Sequence, residues 1–294
     1  MAKEDFPSLD ARTVRRQFER AATRYDDFAF LQRDVEQRLI ARLQYLKLAP
    51  GCIVDLGAGT GAAGPLLEAR FPKAKLILID HSPAMLQQAA RRRRRWFSRT
   101  TLLCADAART GLADASVDMI HSNLLLHWLE DLPGTLAECR RILKPGGLLL
   151  FSTVGPETLM ELRRAWAGVD DHPHVHVFLD MHDVGDAVIR AGFAAPVMER
   201  ENLTVTYRAT EDLLRDLRAT GARNAHAGRT RTLHGRSHKK ALLSALEAGR
   251  RDGVLSVSYE IVAGHAWAPT VGARPQDGST VAAFPLNQLK RRTF

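Results

Sequence analysis

Several short apolar runs in this chain end in residues that could hold a small polar ligand. The strongest is Val54-Asp55-Leu56-Gly57-Ala58-Gly59-Thr60-Gly61, where a buried-strand pattern gives way to a helical one. Glycines at Gly57, Gly59 and Gly61 permit a tight turn and a close approach of backbone to ligand. Dinucleotide enzymes carry a similar loop, so the glycines alone do not choose among nucleotide-like ligands. Asp55 does, because it lies two residues before the first glycine, where a carboxylate would face a pyrophosphate. S-adenosylmethionine has no phosphate and carries an ammonium and a sulfonium group, which a carboxylate attracts.

The next run, Leu78-Ile79-Asp80-His81-Ser82, puts Asp80 about 20 residues beyond the glycines, where an acid accepts both ribose hydroxyls. A third, Cys104-Ala105-Asp106-Ala107, offers Asp106 to an adenine amino group, and a fourth is His121-Ser122-Asn123-Leu124. A single Asp after a strand is often a helix N-cap or turn former. Three on successive strand ends suggest one binding edge. His81, Met85, Ala107 and Asn123 complete the candidate cofactor-binding set.

Something must bring these ends to one edge. The runs CIVDLGAG, LILIDHS, TLLCADA, VDMIHSN and GLLLFSTVG alternate with helical stretches. Apolar runs of this kind followed by helices predict a parallel sheet covered on both faces, a doubly wound α/β fold. Two helices are expected between Thr13 and about Leu46, broken near Tyr25-Asp26-Asp27. Further helices are expected around Leu159 to Val169, Met181 to Ala191 and Glu211 to Thr220. Strands over Val197 to Tyr207 and Ser256 to Trp267 would bring a mostly parallel sheet to seven strands. The expected organisation is an N-terminal helical lid over 1–46, a cofactor-binding core over 47–155, substrate-side helices and the last strands over 156–267, and a flexible tail over 268–294.

The chain has 294 residues, 45% of them apolar, enough to bury a substantial core and to exclude a disordered or fibrous protein. Cys52, Cys104 and Cys139 are odd in number and widely spaced, which excludes a disulfide framework and a CxxC metal site. No stretch reaches the roughly 18 apolar residues of a membrane span, and no export signal opens the chain, so a cytoplasmic location is expected. The net charge of +9 gathers at Arg91 to Arg95, Arg223 to Lys240 and Lys290 to Arg292, and calls for an acidic partner without saying which.

Across roughly Leu48 to Val154, the DLGAGTG, LILIDHS, CADA and RILKPGGLLLFST segments resemble the class I S-adenosylmethionine methyltransferases. The resemblance implies that Gly57, Gly59 and Gly61 border the methionine part of the cofactor, Asp80 the ribose, and Asp106 with Ala107 the adenine. Outside the core, VRRQFERAATRYDDFAFLQR, SNLLLHWLEDLPGTLAECRRILKPGG, FSTVGPETLMELRRAWAGVDDHPHVHVFLD and RATGARNAHAGR are similar to the malonyl-acyl-carrier-protein O-methyltransferases that start biotin synthesis. That family implies methyl transfer to the free carboxylate of a malonyl thioester on acyl carrier protein, with no specific nucleic acid and no membrane. It points to Tyr25 in the lid and Phe178 in HVHVFLD as active-site residues, with an arginine beside them, for which Arg163 is the candidate.

A second family of the same fold, the assembly factors of respiratory complex I with arginine hydroxylase activity, shares part of the pattern and is the alternative. Methylation of RNA, suggested by the arginine runs, is weakened by the few aromatic residues among them, Trp96 and Phe97. His172, His174 and His176 alternate, but no carboxylate or Cys set accompanies them at ligand spacing, so no metal is expected.

Overall fold

The protein is described by a computed structural model covering residues 9–92, 99–229 and 235–270. It opens with α1 (Ala11–Ala21), α2 (Tyr25–Phe28) and α3 (Phe30–Ala41). The αβ alternation follows: β1 (Cys52–Leu56), α4 (Ala63–Arg70), β2 (Lys75–Asp80), α5 (Pro83–Arg92), β3 (Thr100–Cys104), β4 (Val117–Ser122), α6 (Leu132–Ile142) and β5 (Leu143–Val154). The remainder is α7 (Met160–Ala167), α8 (Met181–Arg190), β6 (Ala194–Tyr207), α9 (Thr210–Ala219), α10 (Arg236–Ala248) and β7 (Leu255–Trp267). One seven-stranded sheet runs β3-β2-β1-β4-β5-β7-β6, parallel except for β7, which is antiparallel to both of its neighbours.

The strands are apolar on both faces because both are covered. Val54, Leu56, Ile120, Leu149 and Phe151 pack with Leu136, Ile142 and Val188 of α6 and α8. Alternate residues Ile53, Leu76, Leu78, Met119 and Leu148 meet Leu39 of α3, Leu43 and Leu67 of α4. Each such side chain, fully buried, contributes about 1.5–3 kcal/mol. A third cluster, with Leu162, Leu213, Leu242, Val257 and Tyr259, binds α7, α9 and α10 to the outer strands. No helix among the described residues is long and apolar enough to cross a membrane.

Several ends are set locally. Asp10 caps α1 by accepting from Thr13 N at 3.0 Å, and Asp131 caps α6 through Gly134 N at 2.8 Å. The predicted break at Tyr25-Asp26-Asp27 is itself one helical turn, α2. Helix α10 was not anticipated, because its segment registered as charge; Leu242 and Leu246 are the apolar face that buries it. Within the expected tail, Ala268 is still tied to the sheet, exchanging hydrogen bonds with Gly146 and Gly147. Residues 271–294 lie outside the described residues, as do Arg93 to Arg95, Trp96 and Phe97.

Candidate active site

The ends of β1, β2 and β3 make a staircase. Asp55 pairs in register with Leu78, two residues short of Asp80, and Asp80 pairs with Cys104, two residues short of Asp106. The three carboxylates are therefore not level: each stands one pleat repeat beyond the last, which spreads them along an elongated ligand.

The glycine loop fits beneath them. Gly57 and Gly61 have φ of +75° and +73°, and a Cβ at Gly61 would lie 2.9 Å from the Ala89 side chain. Gly59 N donates to Asp80 Oδ2 at 2.9 Å and Ser82 N to Asp80 Oδ1 at 2.8 Å. These bonds orient the carboxylate and leave each oxygen a lone pair for a ribose hydroxyl. Burial raises the Asp80 pKa against these hydrogen bonds. Asp80, His81, Asp106 and Ala107 share the wall of a cleft of about 710 Å³ with Gly57, the segment where an adenosine would lie. Asp106 is exposed, with Oδ1 already accepting from Ala108 N at 2.8 Å. Met85 departs from expectation: it is 1% exposed, on the buried face of α5, and forms no part of this wall.

Below the staircase lies a buried charge cluster. His121 sits beside Asp55 in the β1–β4 register, so its Nδ1 meets Asp55 Oδ1 at 2.9 Å. Its other nitrogen is 2.9 Å from Glu36 Oε1 on α3, an ion contact not aligned as a hydrogen bond. Burial would lower the imidazole pKa, but Glu36 and Asp55 overcome it and raise it to about 10. Two carboxylates around one imidazolium leave a net negative charge. Asp55 Oδ2 and Glu36 Oε1 are buried without a hydrogen-bond partner among the described residues. Both residues line a small cavity of about 50 Å³ with Tyr25, Gln32, Ala58 and Asn123. Orphaned buried acceptors of net negative charge suit the ammonium end of S-adenosylmethionine. Asn123 closes this cavity, donating to Gln32 O at 3.0 Å and accepting from Ser152 Oγ at 2.7 Å.

A second, apolar cavity of about 120 Å³ adjoins it, lined by Phe18, Tyr25, Gln32, His127, Trp128 and Phe178 among others. Tyr25 and Gln32 belong to both walls. Burial first, then the carboxylates of Asp80, Asp26 and Glu36, hold the Tyr25 phenol protonated. The rings interlock edge to face: Trp128 with Phe18 at 5.3 Å and with His176 at 5.1 Å, and His127 with Phe178 at 5.8 Å. In this surrounding burial pushes His127 down to about 3 and His176 to about 4, so both rings are neutral.

Two of the three alternating histidines, His174 and His176, line this wall. His174 stacks on Trp166 at 3.5 Å and contacts Asp170 at 2.7 Å, and His176 Nε2 accepts from Ala225 N at 2.9 Å. Arg163 is a second correction. Its guanidinium donates to Pro156 O at 3.0 Å and reaches Thr158 O and His176 O at 3.4 and 3.3 Å. It braces the histidine segment from behind and is absent from the cavity wall. Among the described residues, the only guanidinium or ammonium in that wall is Arg223.

Glu36, His121, Gln32, His127, Trp128 and Arg223 were not anticipated as site residues. Glu36 had a signal: it is a charged residue beside Val35 and Leu39 on the buried side of α3. His121 had one too, as an ionisable group inside an apolar strand. Arg223 had none beyond its place in a basic stretch.

A nucleotide-type loop, a staircase of carboxylates and a buried anionic pocket on a mostly parallel sheet define a class I S-adenosylmethionine-dependent methyltransferase. A family model described as a methyltransferase domain matches residues 54–151. The fold is shared with a putative methyltransferase from Bacillus halodurans at a TM-score of 0.58, with 17% identity over 79% of this chain and 99% of that one. Within the class, the chain is 46% identical to the malonyl-[acyl-carrier protein] O-methyltransferase of Laribacter hongkongensis, covering 94% of this chain and 96% of that protein. It is 45% identical to the protein of the same name from Gallionella capsiferriformans, over 93% and 96%. The chain belongs to the malonyl-[acyl-carrier protein] O-methyltransferase family.

Proposed function

We propose that the chain transfers the methyl group of S-adenosylmethionine to the free carboxylate of a malonyl group held as a thioester on acyl carrier protein, the ester that primes biotin synthesis. The observation that carries this is the junction at Tyr25 and Gln32, where a polar cavity suited to a cationic ligand opens against an apolar one. The names of the relatives supply the substrate. They do not favour the assembly-factor alternative.

Bound in the cleft, S-adenosylmethionine supplies an electrophilic methyl, which a carboxylate oxygen takes as the carbon–sulfur bond breaks and its electron pair stays on sulfur. A malonyl carboxylate is ionised near neutral pH and needs no general base. The chain's work is to hold, align and partly desolvate that carboxylate. The neutral rings of His127 and Phe178 exclude water without adding charge. The Tyr25 hydroxyl, protonated throughout, donates to an anionic oxygen at the junction. Arg223 takes the anchoring role first expected of Arg163.

Expression in a bacterium lacking its own carrier methyltransferase tests the assignment. Growth without biotin is expected from the parent chain and not from Asp80→Ala. Soluble protein without rescue would contradict it.

A further inference from the structure

The cavity wall at Arg223 continues into a larger groove of about 480 Å³ between α1, α9 and α10. Its cations are Arg20, Arg24, Arg215, Arg218, Arg223 and Lys239, against one acid, Glu211. Arg215 is paired with Asp212 at 2.9 Å, and Arg24 lies over the Phe28 ring at 5.3 Å. Arg20, Arg218, Arg223 and Lys239 have no carboxylate partner among the described residues. Burial, with the charges of Arg218 and Arg20 beside it, lowers the Arg223 pKa, as expected where like charges crowd without a counter-ion. Ala21, Leu214 and Ala219 supply an apolar floor between the basic rims.

Unneutralised cations around an apolar floor fit an anionic amphipathic element. We propose that this groove is the docking surface for the carrier protein: an acidic amphipathic helix lies between α1 and α9, and its prosthetic arm enters the acyl cavity beside Arg223. Continuity supports this, because Arg223 lines both the groove and the cavity that contains Tyr25 and Phe178. The groove contains no aromatic ring on which a base could stack, which favours a protein over a nucleic acid. Arg91 and Arg92, at the end of α5, do not line this groove. The proposal rests on the carboxyl methylation proposed above and locates its macromolecular substrate.

The test compares two substrates for the full chain: malonyl acyl carrier protein, and malonyl-N-acetylcysteamine, which has neither carrier nor phosphate. The double variant Arg20→Glu, Arg218→Glu changes exposed residues outside the catalytic cavity. Its kcat/KM for the carrier substrate should fall about tenfold or more, mainly through KM, and lose most of its salt dependence. The small thioester should be used as well by the variant as by the parent, and carrier binding followed by fluorescence anisotropy should weaken in parallel. Unchanged carrier kinetics, or equal loss on both substrates, would overturn the docking proposal. So would a short RNA that binds the parent more tightly than the carrier does at about 150 mM salt. If the parent methylates neither substrate, the methylation itself is at fault, a separate outcome.

Discussion

His121 and His127 follow each other on one strand-to-loop connection, and burial decides the charge of only one of them: it keeps His127 neutral, while two carboxylates overcome it at His121. His121, between Asp55 and Glu36, is held at a pKa of about 10; His127, boxed by Phe178 and Trp128, falls to about 3. The half proposed for the cofactor is built of buried charge with a net negative balance, which suits a cationic ligand. The substrate half is built of neutral rings, which suit an anion that must shed water before it reacts. Tyr25 and Gln32 stand where the two meet.

The sharpest way to break this contrast is to remove the charge at its centre. His121→Leu would leave two buried carboxylates uncompensated and should cost about 3–5 kcal/mol in denaturant unfolding. A loss below about 1 kcal/mol would mean that the cluster is not charged as described.

Next in size is the pH dependence, where the two histidines have opposite signs. The folded-state pKa of His121 is raised from 6.5 to about 10, so its contribution is full below pH 6.5 and is lost as pH rises through 10. That of His127 is lowered from 6.5 to about 3, so the unfolded chain binds the extra proton, and its contribution is present above pH 6.5 and lost as pH falls towards 3. Each contributes a slope of at most about 1.4 kcal/mol per pH unit. Unfolding free energies across pH should show His127→Phe flattening the acid limb and leaving the alkaline one. Loss of both slopes together would contradict the separation.

Tyr25→Phe probes the junction. Removing one donor at an anionic oxygen should lower kcat by about tenfold to a hundredfold, with cofactor affinity by calorimetry little changed. An equal fall in cofactor affinity would move Tyr25 wholly to the cofactor half. The smallest effect should come from Met85→Leu, a volume-conserving change in a buried side chain outside the cleft wall, costing under about 1.5 kcal/mol and leaving the cofactor KM within about twofold.

The two halves also differ in how much the amino-acid order disclosed. β1 to β5 and the carboxylates Asp55, Asp80 and Asp106 were legible because each lies on its own strand end, so local pattern and position coincide. Their staggering was not, since register belongs to the hydrogen-bonded pairs and not to any one strand. On the substrate side, Tyr25 and Phe178 came from family resemblance. Arg163 is the expected cation and Arg223 the one that lines the cavity, because no local pattern shows that the Pro156, Thr158 and His176 carbonyls occupy the first guanidinium, or that the second reaches the cavity. The wall is assembled from α1, the histidine segment and residues 222–224, which meet through long-range bonds such as Gln17 to Asn224 O and Asn224 to Pro173 O. Helix α10 was hidden by its charges for the same reason: its apolar face acquires meaning only against α7 and α9.

The central claim is that a malonyl carboxylate meets the cofactor's methyl where the two cavities join. Intact-protein mass spectrometry of malonyl acyl carrier protein incubated with the purified chain and S-adenosylmethionine tests it most directly. The carrier should gain one CH2, removed by mild alkali as a methyl ester is, and should gain nothing with Asp80→Ala. Unmodified carrier in the presence of protein that demonstrably binds S-adenosylmethionine would contradict it.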